Sequence, residues 1–233
     1  MGIATASEID AMVTCCGRKT KGWEVKDGDG AETYICRKLA EKWKNEADEG
    51  FVSYSMEQGS LKEGVAIPFY EGLFDVKVRR VGFVLMDDGT FGCSPDGLIL
   101  DGGIEIKCPE PHTHIGYLRS GGLPKDYAVQ VQSSMYATGA KWWKFMSHAN
   151  DLPPHIVTVE RDPLAMDVIA EAVEMFNAKM KRGMDRMLEL NGGTLVRAFT
   201  TKTENGAKVR TIKPDWDNPI MSAEQLAEFN KGI

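Results

Sequence analysis

No apolar run in this sequence approaches the length of a membrane span, and no basic segment leading into an apolar one opens it. The expected location is therefore cytoplasmic. Cysteine is scarce and unpatterned: Cys15, Cys16, Cys36, Cys93 and Cys108 make an odd set without CxxC spacing. That argues against a disulfide framework and against a zinc knuckle, and leaves reduced, partly buried thiols. There is no internal repeat. Positive charge is not in excess either, with 28 Lys and Arg against 34 Asp and Glu, a net charge of -6. Bulk electrostatic adhesion to nucleic acid is disfavoured, although a local basic groove remains compatible with that total. What is present is ordinary for a globular protein: 42% hydrophobic and 27% charged residues in a chain of 233, enough for one large domain or one domain with an appendage.

Periodicity divides the chain. "TASEIDAMV" (5–13) has the capping-box spacing Thr5–Glu8 and apolar Ile9, Met12 and Val13 on one helical face. Residues 31–43 repeat Tyr34, Ile35, Leu39 and Trp43 at helical spacing, and 59–74 reads as a third helix that Pro68 is expected to kink or interrupt. The period then changes. Residues 78–86, 90–94, 97–100 and 103–108 are short Val-, Ile- and Leu-rich runs separated by "DDG" and "DGG" turns, a meander of strands. A helix over 126–139 leads into strands over 141–148 and 154–161, where Trp142 and Trp143 are expected in the core. Asp162 and Pro163 then start a long helix with a Met-rich stripe from Ile169 to Leu188. Residues 198–212 form a hairpin about Asn205-Gly206, and a polar tail with a short helix at 222–229 follows. The order predicts an α/β fold with a small central mixed sheet flanked by helices.

"CSPDGLILDGGIEIKCP" (93–109) carries the chemistry. On a strand, Glu105 and Lys107 project to one face while Ile104, Ile106 and Cys108 face the core. The "DGG" turn folds Asp96 back beside Glu105. Two converging carboxylates repel unless a cation lies between them, and oxygen donors with open positions suit Mg²⁺, with Mn²⁺ as a substitute. Lys107 is placed to orient or deprotonate a water and to stabilise developing charge. Those are the parts of phosphodiester hydrolysis. The bland alternative is a surface hairpin with an ordinary Glu–Lys pair.

Together with "YAVQVQSSMYATG", "TASE", "GSLKE", "THIGYL" and "KWWKF", this block resembles the PD-(D/E)XK nucleases of the lambda-exonuclease type, also described as YqaJ-like viral recombinases. The resemblance covers most of residues 1–190 and implies a restriction-endonuclease-like core. It implies Asp96, Glu105 and the Ile106 carbonyl as metal ligands, Lys107 acting on the water, and Glu63 supporting a second metal or its water. Glu71 is a rival acid on the same segment. Gln130 matches the residue that hydrogen-bonds near the lysine, and Ser7 a phosphate contact. His114 and Tyr117 are expected in a polar loop where they touch DNA, or else serve structure. The family arginine that meets the 5′-terminal phosphate falls ahead of Met1; either the natural start lies upstream or another cation reaches that phosphate, and Arg119 or Lys125 is the expected substitute.

The activity implied is digestion of linear duplex DNA from 5′ ends, giving 5′-mononucleotides and a 3′ single strand for phage-type recombination. A homotrimeric ring and a single-strand annealing protein as partner are implied too. The rivals are a structure-specific endonuclease or resolvase on the same fold, and an inactive DNA-binding module. An iron–sulfur nuclease is disfavoured because no cysteine follows Cys108. Residues 1–195 are expected to form the exonuclease domain, and 196–233 a hairpin and tail of unknown role.

Overall fold

A computed structural model describes the backbone of residues 2–15, 22–46, 54–193, 199–204 and 207–212, and the side chains of 2–15, 22–46 and 64–193. The elements run β1 (Ala4–Thr5), a 3-10 turn (Ile9–Ala11), β2 (Val13–Thr14), β3 (Glu24–Val25), α1 (Asp29–Lys44) and α2 (Tyr54–Phe74). Next come β4 (Val84–Leu85), β5 (Phe91–Cys93), β6 (Gly97–Ile99), β7 (Gly102–Lys107), α3 (Pro111–Ser120) and α4 (Lys125–Thr138). The chain continues with β8 (Trp142–Ser147), β9 (His155–Glu160), α5 (Pro163–Leu190), β10 (Phe199–Glu204) and β11 (Ala207–Ile212). Among the described residues no helix is long and apolar enough to cross a membrane. The described residues fall into two compact units, one drawn from 3–34 and 49–177, the other from 1–2, 35–48 and 178–233.

The first unit is built on a four-stranded sheet in the order β6-β7-β8-β9. β6–β7 and β8–β9 are antiparallel, while β7–β8 is parallel. A parallel pair cannot be joined by a tight turn, and α3 and α4 supply the crossover. Alternation along β7 decides what each face meets. Ile104 and Ile106 pack with Ala66, Ile67 and Tyr70 of α2, with Val78, Ile99 and Met146. On the α4 side, Val131, Met135, Ala140 and Trp143 form a second cluster. Gly103 is glycine for a steric reason, since a Cβ there would overlap the Trp143 ring. Trp143 is fully buried and Trp142 half-buried, with its Nε1–H donating to Asp101 Oδ1 at 2.9 Å.

The α/β architecture and most elements match the sequence reading. The differences have local causes. Residues 5–13 do not form a helix, although the Thr5 hydroxyl does meet Glu8 Oε2 at 3.1 Å. Thr5 belongs to β1, parallel to β5, and a single 3-10 turn follows, with Ile9, Met12 and Val13 buried. One turn is all the segment spends before β2 takes over, too little to offset helix nucleation. The meander divides between two sheets, because β5 pairs with β1 and β4 rather than with β6. Of residues 78–86, only the Arg79–Leu98 bridge and two-residue β4 are extended pairs. Residues 113–118 lie in α3, not in a loop, with Pro111 as its first residue and left-handed Gly121 as its C-cap. Asp162 caps α5 as expected, accepting from the Leu164 amide at 2.9 Å.

In the second unit Lys38 and Glu41, both buried, form an ion pair of 2.9 Å, and the Gly2 amide donates to Glu41 at 3.3 Å. Gly183 meets Leu39, whose Cδ1 would lie 2.5 Å from any added Cβ. β10 and β11 pair antiparallel from Phe199↔Ile212 to Glu204↔Ala207. The Asn205-Gly206 turn and the helix expected at 222–229 lie outside the described residues.

Candidate active site

The β6–β7 register pairs Gly97 with Ile104, so one residue further Asp96 stands opposite Glu105, and Pro95 opposite Ile106. Proline has no amide hydrogen to give the ladder. Asp96 takes over the facing edge instead: its Oδ2 accepts the Ile106 amide at 2.6 Å. In a strand the N–H and C=O of one residue point to the same side. The Ile106 carbonyl therefore faces the Asp96 edge, with no ladder donor to receive from Pro95. The sequence Pro-Asp thus delivers a carboxylate and a backbone oxygen to one place.

Glu105 and Lys107 share the α4-facing side of β7. Glu105 is buried, with 2% of its surface exposed. Its Oε1 accepts from Lys107 Nζ at 2.6 Å and from Gln130 Nε2 at 2.7 Å. One turn before Gln130, the Tyr127 ring lies under the same ammonium, 5.5 Å from centroid to Nζ. Burial raises the Asp96 carboxyl above its ordinary value, against the lowering effects of the Ile106 amide, Lys107 and Arg80. Burial, then the charge of Glu105, pushes the Cys93 thiol up to about 12, so Cys93 stays neutral.

This set fits a hard divalent cation. It consists of oxygen donors, one of them a carboxylate whose charge burial disfavours, together with an unladdered carbonyl. Lys107 brings a positive charge directly onto Glu105. Among the described residues no three His, Cys, Asp or Glu side chains cluster as a metal site. The third acid expected from sequence is Glu63; it lies within α2, and its side chain is outside the described residues. The rival Glu71 is engaged structurally, accepting the Val78 amide at 2.9 Å.

The structure brings Asp96, Glu105, Ile106, Lys107 and Gln130 together. Of the two readings of His114 it favours the structural one over a DNA contact, since the residue is fully buried. Its Nδ1 meets Ser147 Oγ at 2.7 Å and its Nε2 meets the Pro153 carbonyl at 2.9 Å, so both ring nitrogens are spent inside the fold. Tyr117 is half-buried against Tyr127 and Phe145, each at 6.3 Å between centroids. Ser7 is exposed just after β1, its Oγ 3.4 Å from Thr5 Oγ1. Arg119 and Lys125 are both exposed, at the end of α3 and the start of α4. Two neighbours escaped the sequence reading. Arg80 acts electrostatically on Asp96, and Tyr127 was signalled only by its three-residue spacing from Gln130.

Solved structures share this architecture. The alkaline exonuclease LHK-Exo from Laribacter hongkongensis is 25% identical, with 82% of this chain and 94% of that chain covered at a TM-score of 0.71. LHK-Exo in complex with dAMP gives 26% identity over the same shares, again at 0.71. A phage related exonuclease from Haemophilus somnus 129PT shares the fold at 12% identity, covering 79% of this chain and 96% of that one, with a TM-score of 0.62. No curated protein sequence matches. The family model described as the YqaJ-like viral recombinase domain matches residues 1–141, which contain Asp96, Glu105, Lys107 and Gln130, and the chain belongs to that family.

Proposed function

We propose that the protein is a Mg²⁺-dependent deoxyribonuclease of phage-type recombination, an exonuclease that digests linear duplex DNA from 5′ ends. It releases 5′-mononucleotides and leaves a 3′ single strand. The observation that carries this reading is the meeting of Lys107 and Gln130 on one oxygen of buried Glu105, beside Asp96. The family and the likeness to LHK-Exo support it.

Asp96, Glu105 and the Ile106 carbonyl hold the cation, with Glu63 as the further acid. When bound, Mg²⁺ supplies Lewis-acid polarisation of a phosphate oxygen and lowers the pKa of water. Gln130 fixes the rotamer of Glu105. Lys107 orients the attacking water and meets the charge that develops on the phosphoryl oxygens, where a positioned ammonium acts without reorganisation. Ser7, Arg119 and Lys125 contact DNA phosphates. Arg119 or Lys125 takes the 5′-terminal phosphate. Residues 1–195 carry the nuclease; 196–233 are an appendage. The working assembly is a homotrimer, met by a single-strand annealing protein. A ring would make digestion processive, because a threaded duplex cannot diffuse away between cuts.

The test compares linear and covalently closed circular duplex with Mg²⁺ and with EDTA. Loss of linear DNA only, and only with Mg²⁺, is expected. Cutting of the circle means an endonuclease on this fold, and binding without digestion of either means an inactive DNA-binding module.

A further inference from the structure

We propose that Tyr127 is a positioning residue of the reaction, whose ring face holds the Lys107 ammonium at the site. The proposal rests on the reading of Lys107 given above. Among the contacts that hold Lys107 are two of different kinds, the Glu105 carboxylate at 2.6 Å and the Tyr127 ring with its centroid at 5.5 Å. The second distance is within the range of a cation–π interaction. These two contacts do not answer alike to a divalent cation. A cation held by Glu105 would compete with the ammonium for the carboxylate and would repel it, while the negative face of the ring would keep its attraction. A lysine held by the carboxylate alone would swing towards solvent when the site is loaded. The ring gives it a place to stay.

The fold fixes that ring. Tyr127 stacks on fully buried Phe145, at 5.0 Å between centroids and 29° between planes. Tyr117 braces it edge-on at 6.3 Å and 86°. Tyr127 and Gln130 lie three apart on α4, on one helical face, as Glu105 and Lys107 lie two apart on one face of β7. One turn of helix thus grips both members of the strand pair, Gln130 taking the acid and Tyr127 the base. A side chain serving only as packing would also fill this space, so the test must change the ring's charge without changing its shape.

Phenylalanine and its mono-, di- and trifluorinated analogues are placed at position 127 by nonsense suppression. Phenylalanine, which keeps the ring face but not the hydroxyl, is the reference for the series. Turnover on linear duplex at saturating Mg²⁺ then falls stepwise with fluorination, by roughly 5- to 30-fold across the series. DNA affinity measured with Ca²⁺ stays constant. A flat series overturns the proposal in favour of packing. A second readout needs neither metal nor substrate. In protein labelled at lysine, the Lys107 ε-methylene resonance, assigned by its loss in Lys107→Arg, lies upfield through the ring current. It returns to the ordinary lysine position in Tyr127→Leu. An ordinary position in the wild type overturns the proposal. An upfield resonance in a protein that digests no DNA supports the ring contact and removes the nuclease reading instead.

Discussion

Replacing Gln130 by leucine tests how much of the site depends on one hydrogen bond. Gln130 Nε2 donates at 2.7 Å to Glu105 Oε1, whose residue is only 2% exposed, so water does not replace the lost donor. A hydrogen bond to a charged group is worth about 1.5–3 kcal/mol net. If that energy holds Glu105 in its reactive rotamer, turnover falls roughly 10- to 150-fold, at about 1.4 kcal/mol per decade. Leucine keeps the volume, so packing changes little. The assay is initial digestion of end-labelled duplex at saturating Mg²⁺, beside urea unfolding of the metal-free protein. Unfolding free energy is expected to drop within the same 1.5–3 kcal/mol, roughly, because a buried charge loses one of its donors. Gln130→Glu adds a charge beside Glu105 and should destabilise the metal-free protein further, with Mg²⁺ restoring part of the loss. Rates and unfolding energies of Gln130→Leu within twofold of wild type would refute the positioning argument.

Other consequences follow from the same geometry. Asp96 has a carboxyl raised above its ordinary 3.8 by burial, so the metal-free fold favours the protonated form. The stability this preference brings is present below the unfolded value and is lost as pH rises through the raised folded value. Asp96→Asn should therefore raise the thermal midpoint of the metal-free protein at neutral pH while abolishing turnover. Mg²⁺ should raise the midpoint of the wild type and not of this variant. Gly103→Ala drives a methyl into the ring of buried Trp143 and should cost about 1–3 kcal/mol in urea unfolding. If Arg119 or Lys125 meets the terminal phosphate, wild type should digest 5′-phosphoryl ends faster than 5′-hydroxyl ends. The alanine variant of the responsible residue should narrow that ratio, and equal wild-type rates would remove the pocket.

The site was legible where chemistry and local periodicity coincide. The two-residue spacing of Glu105 and Lys107 fixes their common face once β7 is a strand, and the "DGG" turn brings Asp96 alongside. Ile104 and Ile106 entered the core for the same reason. Pairing between distant segments was not legible. That Phe91–Cys93 joins Ala4–Thr5 rather than Gly97–Ile99 depends on contacts almost ninety residues apart, which no local pattern encodes. His114 illustrates the other limit. Its neighbours are polar and glycine-flanked, as in a surface loop, and only tertiary packing shows that Ser147 and Pro153 consume its ring nitrogens. Tyr127 lies between these cases, since its place on the face of Gln130 was countable but its ring partner was not.

The most direct test of the account is the behaviour of Lys107→Ala at saturating Mg²⁺, with DNA affinity measured in parallel with Ca²⁺. If Lys107 acts on the water and on charge developing in the transition state, turnover is lost while duplex affinity and folding persist. Wild-type turnover in Lys107→Ala would contradict the assignment of this Asp96–Glu105–Lys107 constellation as the catalytic centre.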